Sequence, residues 1–209
     1  GQIMAEAMTR KGVDTSHLHV LHGHTAVSQV TLVDGERVFG DYDEGVLEQY
    51  TLSSEDMDFI STHDVVVCDL WGKVGRFFGQ LQQRGVKTAF DCATRPGDAA
   101  CAEAIPYTDY LFFSSDDGDT ETLRELMKVL HSQGPKLVIA MLGEQGSLCF
   151  DGQTFHSFGI VPCPNVVDTM GAGDAGFLHG LVDGLPIEAC MEKGAATSTE
   201  TLQYFGAWL

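Results

Sequence analysis

The segment Asp168-Thr169-Met170-Gly171-Ala172-Gly173-Asp174 sets three small residues directly before an aspartate, and an apolar, helix-patterned stretch follows to Leu181. With Val166-Val167 read as a short strand, the order is strand, glycine turn, helix. Such a junction gathers unpaired backbone N–H groups and the positive end of a helix dipole at one point, which suits an anion and phosphate above all. Asp174, on the first turn, faces whatever those groups hold. Its carboxylate can take the proton of an attacking hydroxyl while the N–H groups of Gly171, Ala172 and Gly173 stabilise charge on a phosphoryl group in transfer. Read alone, G-x-G-D is more often an ordinary turn with a helix-start carboxylate.

The surrounding pattern says what must position this segment. Buried-strand runs at 64–70, 87–91, 110–113 and 137–142 alternate with helical stretches, one ending at Arg84-Gly85 and one over 119–131. That rhythm predicts an α/β fold with a mainly parallel sheet flanked by helices, whose ligands sit at the carboxyl ends of the strands. Asp151-Gly152 predicts a hairpin between 148–150 and 154–155, and Asp34-Gly35 another, joining Val27, Val30 and Leu32 to a return strand at Arg37-Val38-Phe39. Two strands alone are marginal, so this early ribbon, placed at 17–42 as a small β lid, should pack on the main body or on a second subunit. Met4 to Arg10 reads as a helix stopped by Lys11-Gly12.

Composition narrows the function. The 209 residues are 44% hydrophobic, enough for one sizeable core and too few for two large domains, so a single domain over 1–209 is expected. With 30 acidic against 12 basic residues and a formal charge of -18, the chain should repel nucleic acid and anionic membrane surfaces. No apolar run approaches the roughly 20 residues of a membrane span. The six cysteines are scattered without a C-x-x-C pair, which reads as free thiols in a reducing cytoplasm. The chain opens on Gly1-Gln2-Ile3 inside a helical pattern, so further sequence ahead of it is expected.

The full D-T-x-G-A-G-D string resembles the C-terminal signature of the ribokinase (PfkB) family of carbohydrate kinases. Met141-Leu142-Gly143-Glu144-Gln145-Gly146 resembles that family's T-L-G-x-x-G nucleotide loop, followed, as in the family, by a hairpin. Arg37 to Tyr42, Glu44-Gly45-Val46, Gln203-Tyr204 and Gly206-Ala207-Trp208 are similar to the fructosamine kinases within it. The resemblance implies a kinase moving the γ-phosphoryl of ATP to the 6-hydroxyl of a fructosamine, with Asp174 as catalytic base and Gly171, Ala172 and Gly173 as the anion hole. It puts Thr169, Gly143, Gly146 and Ser114 near the nucleotide. Asp117 falls near the waters of Mg2+, and Asp168 near a metal position, structural or holding a monovalent cation. Asp41 and Tyr42 of the lid, with Asp91 at the end of a buried strand, would meet the sugar. It also allows a homodimer joined through the lids. The alternatives are a kinase of the same family for another fructose–amino acid adduct or a ketose, and a nucleotide-binding regulator that keeps the fold without the chemistry.

Four departures bear on this. Where the family carries N-x-x-E, this chain reads Ser114-Ser115-Asp116-Asp117, and Met141 replaces a threonine of the nucleotide loop. The family has about three more residues between this aspartate and its A-G-F, and a true deletion there would rotate the following helix by most of a turn. No G-G-x-x-x-N segment for the acceptor sugar is present. Of the remaining candidates, His17, His19, His22 and His24 read as a solvated strand edge rather than a metal cluster, because the Gly23 turn interrupts the second pair and no carboxylate or cysteine completes a site. Asp91 is open between a cleft residue and a turn residue, since Pro96-Gly97 signals a loop. Cys92 and Cys101 read as structural thiols.

Overall fold

The computed structural model describes residues 1–33, 36–167 and 174–204, and the chain divides into two compact units, Gly1–Asp56 and Met57–Leu209.

In the first unit, helix α1 (Gln2–Arg10) precedes an antiparallel ribbon of β1 (Val27–Val33) and β2 (Glu36–Asp43), with a register shift between Ser28 and Val30. The ribbon starts later than residue 17, and residues 17–26 form no strand. The histidines of that stretch do not lie on a solvated strand edge. His17 Nδ1 and His19 Nε2 both reach Oδ1 of Asp56, at 2.9 and 2.8 Å, while the backbone N–H and the hydroxyl of Ser53 donate to Oδ2 at 2.8 and 2.7 Å. Local spacing could not reveal a carboxylate so far along the chain. Asp56 is only 4% exposed. Burial opposes its charge, yet the imidazole and Ser53 donors together hold its carboxyl far below the usual range.

The second unit begins within α2 (Ser54–Ile60) and carries a six-stranded sheet in sequential order: β3 (Val65–Asp69), β4 (Lys87–Asp91), β5 (Tyr110–Ser114), β6 (Leu137–Met141), β7 (Ser147–Phe150) and β8 (Phe155–Phe158). β3 to β6 run parallel, and β7 and β8 return antiparallel. The expected fold class is the one observed. Strands buried on both faces explain the near-continuous apolar runs of β5 and β6. Helices α3 (Phe78–Gln83), α4 (Ala99–Ala104) and α5 (Glu121–His131) connect the parallel strands. α5 starts where the Thr120 hydroxyl accepts the N–H of Leu123 at 3.2 Å, and it buries Leu123, Met127 and Leu130 at helical spacing.

Helices α6 (Asp174–Val182) and α7 (Ile187–Thr201) form a close pair. A Cβ on Gly176 would lie 2.6 Å from the Lys193 carbonyl, so only glycine admits this approach. α6 places Phe177 edge-on to Phe112 of β5, with ring centroids 5.8 Å apart. Phe177 and Leu178 join the core formed by Ala89, Tyr110, Phe112, Ile139 and Cys149. Whatever its length history, the helix leaving Asp174 lays an apolar face on the sheet. Val166 and Val167 are not a strand. They are 57% and 47% exposed, and the Val167 N–H bonds to the Leu202 carbonyl at the end of α7, at 2.8 Å. β-branched residues favour extended backbone but form a strand only where a sheet edge receives them.

Asp56→Ala should remove the shared acceptor of both histidines and of Ser53, costing roughly 2 kcal/mol near neutral pH. A depressed carboxyl stabilises the native state above its ordinary value near 3.8 and ceases to do so as the pH falls through the native value. Urea unfolding at pH 7 and pH 3 should therefore show the wild-type advantage shrinking at the lower pH.

Candidate active site

The register of the parallel strands brings their carboxyl ends level. Asp69 and Asp91 are partners as the last residues of β3 and β4, and Ser114 and Met141 are partners as the last residues of β5 and β6. The ladder continues past them, with the Leu70 N–H on the Asp91 carbonyl at 3.0 Å and the Cys92 N–H on the Phe112 carbonyl at 2.9 Å. Ligand sites in such sheets open at this end.

Asp174 is the first residue of α6, one turn before Phe177 that packs on Phe112, and its carboxyl lies close enough to Asp69 and Asp91, at the ends of β3 and β4, for their charges to act on one another. Burial raises the Asp174 carboxyl above its ordinary value. The N–H groups of Asp174 and Ala175 pull it back, and the charge of Asp69 raises it further. A carboxylate held in this way is a stronger base than a solvated one. Asp91 is pushed up to about 6, first by burial and then by the charges of Asp174 and Asp69, against the Ala93 N–H that donates to its Oδ1 at 2.8 Å. Ala93 reaches that position with φ 50, a left-handed conformation uncommon for a residue with a side chain. Three carboxylates, Asp69, Asp91 and Asp174, thus feel one another at the mouth of the sheet. Asp69 escaped the sequence reading, although it closes a buried strand just as Asp91 does. That signal would have found both.

At the other end of the row, Gly143 and Gly146 frame a 3-10 turn over Gly143–Gln145, closed by the Leu142 N–H on the Gly146 carbonyl at 2.8 Å. Gly146 has φ +89, and a Cβ there would lie 2.1 Å from the Phe158 carbonyl. Gly118, φ +67, faces the Gln145 side chain, which brings the loop after β5 against this turn. Ser114 is half-buried, with its N–H on the Ala93 carbonyl at 2.7 Å, and Asp117 is exposed on the same loop. The end of β5 and the loop after it, which carry Ser114 and Asp117, therefore lie beside the turn framed by Gly143 and Gly146. Thr169, Asp168, Gly171, Ala172 and Gly173 lie outside the described residues. Asp41 and Tyr42 are exposed residues of β2 in the first unit, where Tyr42 borders a polar depression of 490 Å³ with His24, Asp43, Glu44 and Glu48. Among the described residues no group of three His, Cys, Asp or Glu side chains is arranged to hold a metal ion, and no helix is long and apolar enough to cross a membrane.

Residues 1–208 match the family described as "pfkB family carbohydrate kinase". The chain belongs to that family. It is 41% identical over 211 residues to the fructoselysine 6-kinase of Escherichia coli (strain K12), a match that spans 100% of this chain and 80% of the relative. It is 38% identical to a cytidine kinase of Thermococcus kodakarensis over 93 residues, 42% of this chain and 33% of that protein. Among solved structures, Arabidopsis thaliana ribokinase complexed with ribose and ATP superposes with a TM-score of 0.84 at 24% identity, over 99% of this chain and 73% of that one. Fold and family agree, and this pfkB family member is an ATP-dependent carbohydrate kinase.

The raised carboxyl of Asp91 carries a pH signature. Its charge is unfavourable in the native state, a cost absent below the ordinary value of 3.8 and fully present above about 6. Asp91→Asn, which keeps the acceptor for the Ala93 N–H, should stabilise the protein by about 2–3 kcal/mol at pH 8. At pH 4 the gain should nearly vanish, as thermal melts of the two proteins would report.

Proposed function

We propose that this kinase transfers the γ-phosphoryl group of ATP to the 6-hydroxyl of a fructosamine such as fructoselysine, with Asp174 as the general base. The observation that carries the substrate is the 41% identity to fructoselysine 6-kinase along the whole of this chain. The role of Asp174 is supported by its place on the first turn of α6, over the carboxyl ends of the strands, and by its raised basicity.

In the proposed step the Asp174 carboxylate accepts the proton of the sugar hydroxyl as that oxygen bonds to the γ-phosphorus. The bond from phosphorus to the bridging oxygen breaks, and ADP leaves with its electron pair. The N–H groups of Gly171, Ala172 and Gly173 would stabilise the charge on the equatorial oxygens. The turn at Gly143 and Gly146, with Ser114 and Thr169, would hold the nucleotide. The exposed carboxylate of Asp117, beside that turn, is a hard oxygen donor of the kind that holds Mg2+ through water. Bound there, Mg2+ would neutralise the β- and γ-phosphate oxygens. Asp168 would serve a metal position, structural or holding a monovalent cation. Asp91 would accept a hydrogen bond from a sugar hydroxyl, and Asp41 and Tyr42 would close over the acceptor from the ribbon. That ribbon exposes Val27 and Val30, which suits a homodimer joined through the lids of a cytoplasmic enzyme.

Asp174→Asn keeps the shape and removes the base. In the full-length protein, coupled ADP detection with fructoselysine should show kcat lowered about 10²- to 10⁴-fold with ATP binding little changed. Turnover within a few-fold of wild type would eliminate the base.

A further inference from the structure

At the carboxyl ends of the strands, Arg95 is held mainly by an aromatic ring. In the second unit Arg84, Arg124, Lys128, Lys136 and Lys193 each hold a carboxylate at 2.5–2.7 Å. Arg95 is only 3.8 Å from Asp98, too long for a hydrogen bond, and its side chain is 53% exposed. Its guanidinium carbon instead lies 5.4 Å from the centroid of the Trp71 indole. Cation–π contact of this kind holds a guanidinium plane while leaving its edge donors available to a ligand.

Both residues are fixed from the backbone side. The Arg95 N–H donates to the Cys92 carbonyl at 2.9 Å, and the Arg95 carbonyl accepts the Asp98 N–H at 3.0 Å and the Cys101 thiol at 3.3 Å. The Trp71 N–H donates to Asp69 Oδ1 at 3.0 Å. Trp71 follows β3 by two residues and Arg95 follows β4 by four, so the shelf they form sits beside Asp91 at the mouth of the sheet. The turn at Gly143 and Gly146 follows β6, two strands from β4 and hence about 10 Å away along the row. The start of α6 reaches the β3 and β4 end, where Asp174 feels Asp69 and Asp91 feels Asp174. An oxyanion on Arg95 would therefore sit at the end of the row that holds Asp91 and Asp174, opposite the turn at Gly143 and Gly146.

We propose that Arg95, laid on the Trp71 indole, is a specificity-determining residue that binds the carboxylate of the amino-acid part of the acceptor. The inference rests on the fructosamine reading above, since a simple ketose has no carboxylate to offer. A guanidinium presents two parallel N–H donors to a carboxylate, worth about 10- to 100-fold in affinity when the pair forms. The γ-phosphate of ATP is the other oxyanion that such a group could meet, and the test separates the two.

The full-length wild type, Arg95→Ala and Arg95→Lys should be compared by coupled ADP detection on fructoselysine and on its carboxamide, with ATP saturating and then varied. Wild type should prefer the carboxylate acceptor about 10- to 100-fold in kcat/KM. Arg95→Ala should raise KM for fructoselysine by that factor, leave kcat and the ATP KM within about threefold, and treat the two acceptors alike, with Arg95→Lys recovering part of the preference. Retained preference in Arg95→Ala, or a rise confined to the ATP KM, would overturn the role while leaving the fructosamine reading intact. Wild-type turnover of neither acceptor would sink that reading and this inference together.

Discussion

Asp109 carries the register on which the site depends. It stands just before β5, and one residue touches three strands. Its Oδ2 accepts the Thr88 N–H of β4 at 2.9 Å, its Oδ1 meets Lys136 Nζ at 2.7 Å, and its carbonyl accepts the N–H groups of Lys136 and Leu137 at 2.8 and 3.1 Å. The side chain is buried, which opposes its charge, yet Lys136 and Thr88 together hold the carboxyl below its ordinary range. This staple lies at the amino ends of the strands, far from any chemistry. A slip of one residue there would carry Asp91 about 3.3 Å along its strand and turn its neighbours to the opposite face.

From that register follows a row of candidate site residues. β3 and β4 end in Asp69 and Asp91, β5 ends in Ser114, and β6 ends in Met141 before the glycine turn. Acidic and aromatic groups collect at one end, and backbone N–H groups of a turn at the other. The helix start at Asp174 joins the acidic end, where it and Asp91 feel the charge of Asp69, and Phe177 fixes α6 on Phe112. Crowding carboxylates at one end is unfavourable to the fold, and it adds to the burial that raises the Asp174 carboxyl above its ordinary value.

Much of this was legible in the sequence because it rests on local pattern. Each parallel strand was a short apolar run, the hairpin at Asp151-Gly152 was a turn signal, and the glycine string before Asp174 was specific enough to name a family. What stayed hidden depends on contacts distant along the chain. Nothing near His17 and His19 pointed to Asp56, 39 and 37 residues away. Val166 and Val167 carried strand propensity and met the end of α7 instead. Asp69 and Asp91 look alike in sequence, but only the ladder reveals that they are partners, and only the fold lays Arg95 on Trp71.

The proposed division of the row into an acceptor end at β3 and β4 and a nucleotide end at β6 and β7 is tested most directly by hydrogen–deuterium exchange of the full-length protein. A non-hydrolysable ATP analogue should slow exchange over residues 142–147, and fructoselysine should slow it over residues 69–76 and 91–98. Protection of the β3 and β4 loops by the nucleotide, with none at the glycine turn, would contradict that division.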